Sequence, residues 1–293
     1  MSISVEHLPN LSNIKLEYKK NKYPLSPDPN LAKMYFVSLF VGSRGSGKTY
    51  SACQLLKLYE QYGLYQHGHK MDQRIVLISP TQSANRVYTS LKNLDEKDIF
   101  ENYSDSLLLN ILDDFKNEKK ETEEYLRKLK IWKRFIKLKK IEDLEPHELI
   151  ELELMGYNEP KKCRFPNGVV NFLILDDLIG STAFKSTGQS ALTNLVLKNR
   201  HLSVNILIMT QNLKAIPKSI RTNTSVFVIY RFASKKIIVE DLYEEVSNSL
   251  TLDKFEELFD FATTGEHNAL IIDFTQPKEN RFKKNWGDIL RIQ

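Results

Sequence analysis

Cysteine is almost absent. Cys53 and Cys163 are the two cysteines among 293 residues, far apart and in no CxxC pair. That excludes a disulfide framework and a zinc module, and it points to a reducing compartment. No stretch of 18 apolar residues occurs, so no membrane-spanning helix is expected. The start, MSISVEHLPNLSN, lacks the basic-then-apolar order of a secretory signal. Internal repeats and low-complexity tracts are missing too. His67 and His69 flank Gly68 and read as a solvated loop rather than a metal site. Excess charge of one sign is small: 42 basic against 37 acidic residues, a net of +5. Such a balance allows an anionic partner without requiring one. Hydrophobic residues make up 41% of the chain, enough for the core of one large α/β domain.

Against this plain background one run stands out. Gly42-Ser43-Arg44-Gly45-Ser46-Gly47-Lys48-Thr49 fits the phosphate-binding pattern G-x-x-x-x-G-K-[ST] at every fixed position. Upstream, Met34 to Val41 is apolar, aromatic and β-branched, and predicts a buried strand. Downstream, Tyr50 to Leu58 predicts a helix with Leu55, Leu56 and Leu58 facing inward. Strand, glycine loop and helix form the context that this chemistry needs. The glycines let backbone N–H groups approach an anion, and the helix start adds its positive dipole end. In this pattern Lys48 reaches the β- and γ-phosphates, and the Thr49 hydroxyl binds Mg²⁺.

Five more strands are expected: Arg74–Ser79, Val169–Leu175, Val204–Thr210, Ser225–Tyr230 and Asn268–Phe274. All are continuous apolar runs, as suits strands covered on both faces. Intervening helical stretches imply an α/β fold with a largely parallel, doubly wound sheet. Residues 1–30 are polar and carry Pro24, Pro27 and Pro29, which suggests an extended arm. The ATPase domain is expected over 31–275, and residues 276–293 are read as a tail. Residues 95–160 break the rhythm. Lys116 to Lys140 hold eleven basic and four acidic residues, a net of +7. Leu126, Leu129, Trp132, Phe135, Ile136 and Leu138 recur there at helical spacing. This predicts a basic amphipathic helix inserted between the second and third strands, either a solvated face or a contact for nucleic acid or a neighbouring subunit.

The third strand ends in Asp176-Asp177. A phosphate-loop enzyme needs acids at such a tip: Asp176 to orient the metal through water, and Asp177 to polarise the attacking water. Asp113-Asp114 also follows an apolar run, but its charged surroundings predict a helix. The next strand ends in Thr210-Gln211. Ligands collect at the carboxyl ends of parallel strands, so Gln211 is expected beside the γ-phosphate. Arg200, Arg221 and Arg231 flank these strands. A guanidinium can neutralise charge on a transferring phosphoryl group, and Arg200, then Arg221, is favoured for that role.

Guanine specificity usually needs Asn-Lys-x-Asp. Here Asn21-Lys22 is followed by Tyr23-Pro24, so ATP is expected. The string LVLKNRHLSVNILIMTQNLKAIPKSIRTNTSVFVIYRFAS, residues 195–234, resembles the FtsK–HerA superfamily of DNA-pumping ATPases. Within it, the chain is most similar to poxvirus-type genome-packaging ATPases of large DNA viruses. The loop at 42–49, Asp176-Asp177, Asn199-Arg200-His201, Met209-Thr210-Gln211, Ile220-Arg221-x-Asn223 and Tyr230-Arg231 carry the likeness. The resemblance implies a P-loop NTPase with a RecA-like core. It implies a pentameric or hexameric ring that drives double-stranded DNA into a preformed capsid. ATP and Mg²⁺ would lie between subunits, with an arginine supplied in trans. A capsid vertex or portal protein would be the partner, in the host cytoplasm or viral factory, or with the virion. Bacterial relatives often carry glutamate where this chain has Asp177. Lys185 and Arg86 are loop candidates for DNA phosphates. A helicase or replication initiator, and a nucleotide-binding scaffold without hydrolysis, are the alternatives.

Overall fold

The computed structural model describes residues 23–66, 68–81, 86–137, 143–178, 180–184, 190–232, 242–244 and 250–291. Its core is one sheet. Six strands run parallel in the order β8–β1–β7–β6–β4–β5: β1 Val37–Val41, β4 Asp72–Ile78, β5 Ile99–Phe100, β6 Val169–Asp176, β7 Val204–Thr210 and β8 Val226–Tyr230. A small separate ribbon pairs β2 (Tyr65–Gln66) with β3 (His69–Lys70).

Alternation along the strands fills two cores, one on each sheet face. Val37, Leu39 and Val41 join Ile206, Ile208, Leu173 and Leu175 on one face. Phe36 and Phe40 join Phe172, Ile174, Leu207 and Met209 on the other. Each large side chain so buried contributes roughly 1.5–3 kcal/mol. Asn205 ties three strands together: its amide donates to Asn171 O at 3.2 Å, and its Oδ1 accepts from the Phe36 N–H at 3.2 Å. β1 is shorter than the expected run, because Met34 to Phe36 are buried but precede the ladder.

Helices cover both faces, as the alternation of elements implies. α1 (Lys48–Tyr62) packs Ala52, Leu55, Leu56 and Tyr59 on the Phe40 face and stops at Gly63. The opposite face takes α4 (Ala191–Leu202), α5 (Leu252–Thr263) and the first half of α2 (Asp105–Phe135). Ser104 caps α2, its Oγ accepting from the Leu107 N–H at 3.0 Å. Leu108, Ile111, Leu112 and Phe115 form the inward stripe of that half. Asp113 and Asp114 lie on its outer side, so that acidic pair belongs to a helix and not to a strand tip. The second half of α2 leaves the sheet and pairs with α3 (Pro146–Leu154) around Ile131, Leu144 and Leu152. This helical pair is the insertion, and it begins earlier than the basic run suggests.

Residues 276–291 do not trail away as a tail. β9 (Ala269–Asp273) pairs antiparallel with β8; β10 (Phe282–Lys284) and β11 (Asp288–Ile289) continue the sheet. The Lys283 ammonium is buried against the Asp273 carboxylate at 3.3 Å, and the Trp286 indole N–H donates to Ser51 O on α1 at 3.0 Å.

Candidate active site

Parallel strands put their carboxyl ends at one edge, and the candidate residues gather there. The loop 42–49 leaves β1 and enters α1, with Gly42 N–H donating to Thr210 O at the end of β7 (3.2 Å). Gly47 has φ 103°, a conformation that a side chain would strain. A Cβ on Gly42 would collide with Ser46 Oγ and lie 2.9 Å from Tyr230 Cβ. The Lys48 ammonium donates to Gly42 O at 2.7 Å and to Ser43 O at 2.8 Å. Burial lowers its proton affinity, and Asp176 and Asp177 pull it back up. Ser46 Oγ is buried without a hydrogen-bond partner. A buried hydroxyl of that kind suits a phosphate oxygen.

β7 lies between β1 and β6, so its end stands between the loop and the acidic pair. Gln211 Nε2 donates to Asp177 Oδ1 at 3.2 Å. Asp177 has φ 52°, a left-handed conformation that aspartate enters more readily than longer acids. This accounts for aspartate in place of glutamate. Asp176 is buried, its proton affinity raised first by burial and held down by the Tyr88 hydroxyl, which donates to Oδ2 at 2.6 Å. Among the described residues no cluster of three or more His, Cys, Asp or Glu side chains forms a metal site. The hydroxyl of Thr49 and the carboxylate of Asp176 are hard oxygen donors, the kind that Mg²⁺ takes.

Arg200 and Arg221 lie elsewhere. Both line a cleft of about 610 Å³ with Lys33, Tyr35, Asn223 and Thr275, at the amino ends of β1 and β8. The loop 42–49 is at the opposite edge of the sheet, so neither arginine reaches it within this chain. Asn199 fixes this corner, its amide donating to Tyr35 O at 3.0 Å and Val204 O at 3.3 Å, while Arg200 stays exposed. Arg231 sits at the loop edge and pairs with Asp260 at 3.3 Å. Arg86 is exposed on the 3-10 turn Arg86–Ser90. Lys185 lies outside the described residues, as does His67.

The family described as Poxvirus A32 protein matches residues 65–278, more than half of the chain. The chain belongs to this family. Fold, loop and family together make it a P-loop ATPase. The family match begins after the loop 42–49 and includes Asp176, Asp177, Arg200, Gln211 and Arg221. A comparison with curated proteins finds no match. Among solved structures, the chain is similar to the genome packaging NTPase B204 from Sulfolobus turreted icosahedral virus 2. That likeness has 12% identity, 88% coverage of this chain, 98% of the other, and a TM-score of 0.48. The Type VII secretion ATPase EccC of Thermomonospora curvata gives 14% identity, 87% and 27% coverage, and a TM-score of 0.41.

Three further side chains stand at this A32-family site, and sequence reasoning gave them no role there. Tyr88 touches Asp176. The Tyr230 hydroxyl donates to Gly47 O at 3.1 Å, and burial pushes its titration up to about 12. His267, in a left-handed turn (φ 61°), flanks Gly47 within 3.4 Å of where its Cβ would stand. Only the Tyr230-Arg231 pair at the strand end gave a signal, and it pointed to the arginine.

Proposed function

We propose that this A32-family chain hydrolyses ATP at the interfaces of a homo-oligomeric ring and drives double-stranded DNA into a preformed viral capsid. The observation that carries the reading is the split of the site. Lys48, Thr49, Asp176, Asp177 and Gln211 converge at one edge of the sheet, and Arg200 and Arg221 occupy the other. Stacking such subunits around a ring brings the arginine edge of one copy against the loop edge of the next. Family membership and the string at 195–234 support DNA as the moving substrate.

In this reading the loop N–H groups and the Lys48 ammonium bind the triphosphate. Thr49 and Asp176 would hold Mg²⁺, which when bound screens charge on the β- and γ-phosphates. Gln211 holds Asp177 Oδ1, which leaves Oδ2 to take a proton from the attacking water. The water oxygen bonds to the γ-phosphorus as the bond to the β–γ bridging oxygen breaks, and ADP leaves. Arg200, with Arg221 behind it, neutralises developing charge on the neighbour's phosphoryl group. The host cytoplasm or viral factory is the setting, and a capsid vertex or portal protein the partner.

The test is ATP turnover by the purified oligomer with and without linear double-stranded DNA. DNA should stimulate turnover, and Lys48→Ala should abolish it. An assembled oligomer without turnover in either condition would reject the reading. Dependence on a single-stranded tail would favour a helicase.

A further inference from the structure

Tyr88 stands at the metal end of the site, and the proposed chemistry does not use it. It lies on the turn Arg86–Ser90, which packs against α1, and it is only 4% exposed. Its hydroxyl donates to Asp176 Oδ2 at 2.6 Å. Thr49 and Asp176 come from different elements, α1 and β6; the turn that carries Tyr88 packs on α1 while its hydroxyl holds Asp176. With Oδ2 occupied by the phenol, Asp176 keeps Oδ1 for an ion or its water.

A phenylalanine would fill the same buried volume. The hydroxyl therefore adds orientation, not packing. Side chains that hydrogen-bond a metal-binding carboxylate fix its direction, and their loss typically costs 10- to 100-fold in metal affinity. We infer that Tyr88 is a positioning residue for Mg²⁺, holding Asp176 so that its remaining oxygen serves the same ion as Thr49. The inference rests on the assignment of Mg²⁺ to Thr49 and Asp176 made above.

It is tested with the full chain and a fluorescent, slowly hydrolysed ATP analogue. Mg²⁺ is titrated at fixed nucleotide, and binding is measured separately in EDTA. Tyr88→Phe should raise the half-saturating Mg²⁺ concentration about tenfold or more, with binding in EDTA unchanged. Tyr88→His, a ring that retains an N–H donor, should recover part of the loss, and it probes the position if Tyr88→Phe fails to fold. In an Asp176→Asn background, Tyr88→Phe should add nothing. An unchanged or lower Mg²⁺ requirement overturns the inference, and so does equal weakening in EDTA, which marks a structural role. Wild-type binding that is indifferent to Mg²⁺ removes the metal assignment itself, and Tyr88's role with it.

Discussion

Asp177 shows how much one backbone angle decides. Its φ of 52° turns the carboxylate toward Gln211, so the end of β6 and the end of β7 act as a pair. Asp177→Asn keeps this shape and removes the proposed proton acceptor. Turnover should fall on the order of 100- to 10,000-fold with KM nearly unchanged, the range for losing a general base. Steady-state ATPase kinetics check it, and a variant within threefold of wild type would move the base elsewhere. Gln211→Ala frees Asp177 Oδ1 from its donor. A smaller fall in turnover, again with KM unchanged, is expected.

Among elements, the insertion is tied to the sheet by charge. Arg74 on β4 reaches Asp98 and Glu118; Arg164 reaches Asp95, Asp98 and Glu118. Arg74 and Asp98 are both buried. Removing one partner of such a pair costs on the order of 3 kcal/mol, because the other charge stays in the interior. Burial alone would raise the Asp98 titration, but its bonds to Arg74 and Arg164 outweigh it and lower it. The sign follows. A depressed carboxylate stabilises the fold above the unfolded value, about 3.9, and loses that contribution as pH falls through the lower folded value. Asp98→Asn should therefore be less stable at pH 7 and lose less on acidification. Denaturant unfolding at pH 7 and in acid checks this; parallel curves for both proteins would reject it.

For the whole molecule, the separation of arginines from loop makes a mixing experiment decisive. Arg200→Ala subunits keep an intact loop, and Lys48→Ala subunits keep an intact arginine edge. In the proposed ring, a mixture contains interfaces with both, so mixing should restore part of the ATPase activity that each variant lacks. Normal assembly without rescue would pass the role to Arg221.

The sequence by itself determined the loop at 42–49, the acidic tip at 176–177 and six of the sheet strands. Each is a contiguous signal: a motif whose members touch through one backbone turn, or an apolar run long enough to mark a buried strand. Helix α2 was legible in two pieces, the apolar run before Asp113-Asp114 and the basic stretch, but not as one continuous helix. Tertiary structure alone decided the rest. β10 and β11 are two or three residues long and carry Lys283 and Lys284, so no periodicity could reveal them. The direction of β9 depends on which strand it meets, not on its composition. Tyr88, 88 positions from Asp176 in the chain, becomes its neighbour only when β4 and β6 pair. Above all, the fold set Arg200 and Arg221 at the far edge of the sheet, because residues before a parallel strand and residues after it lie a strand's length apart.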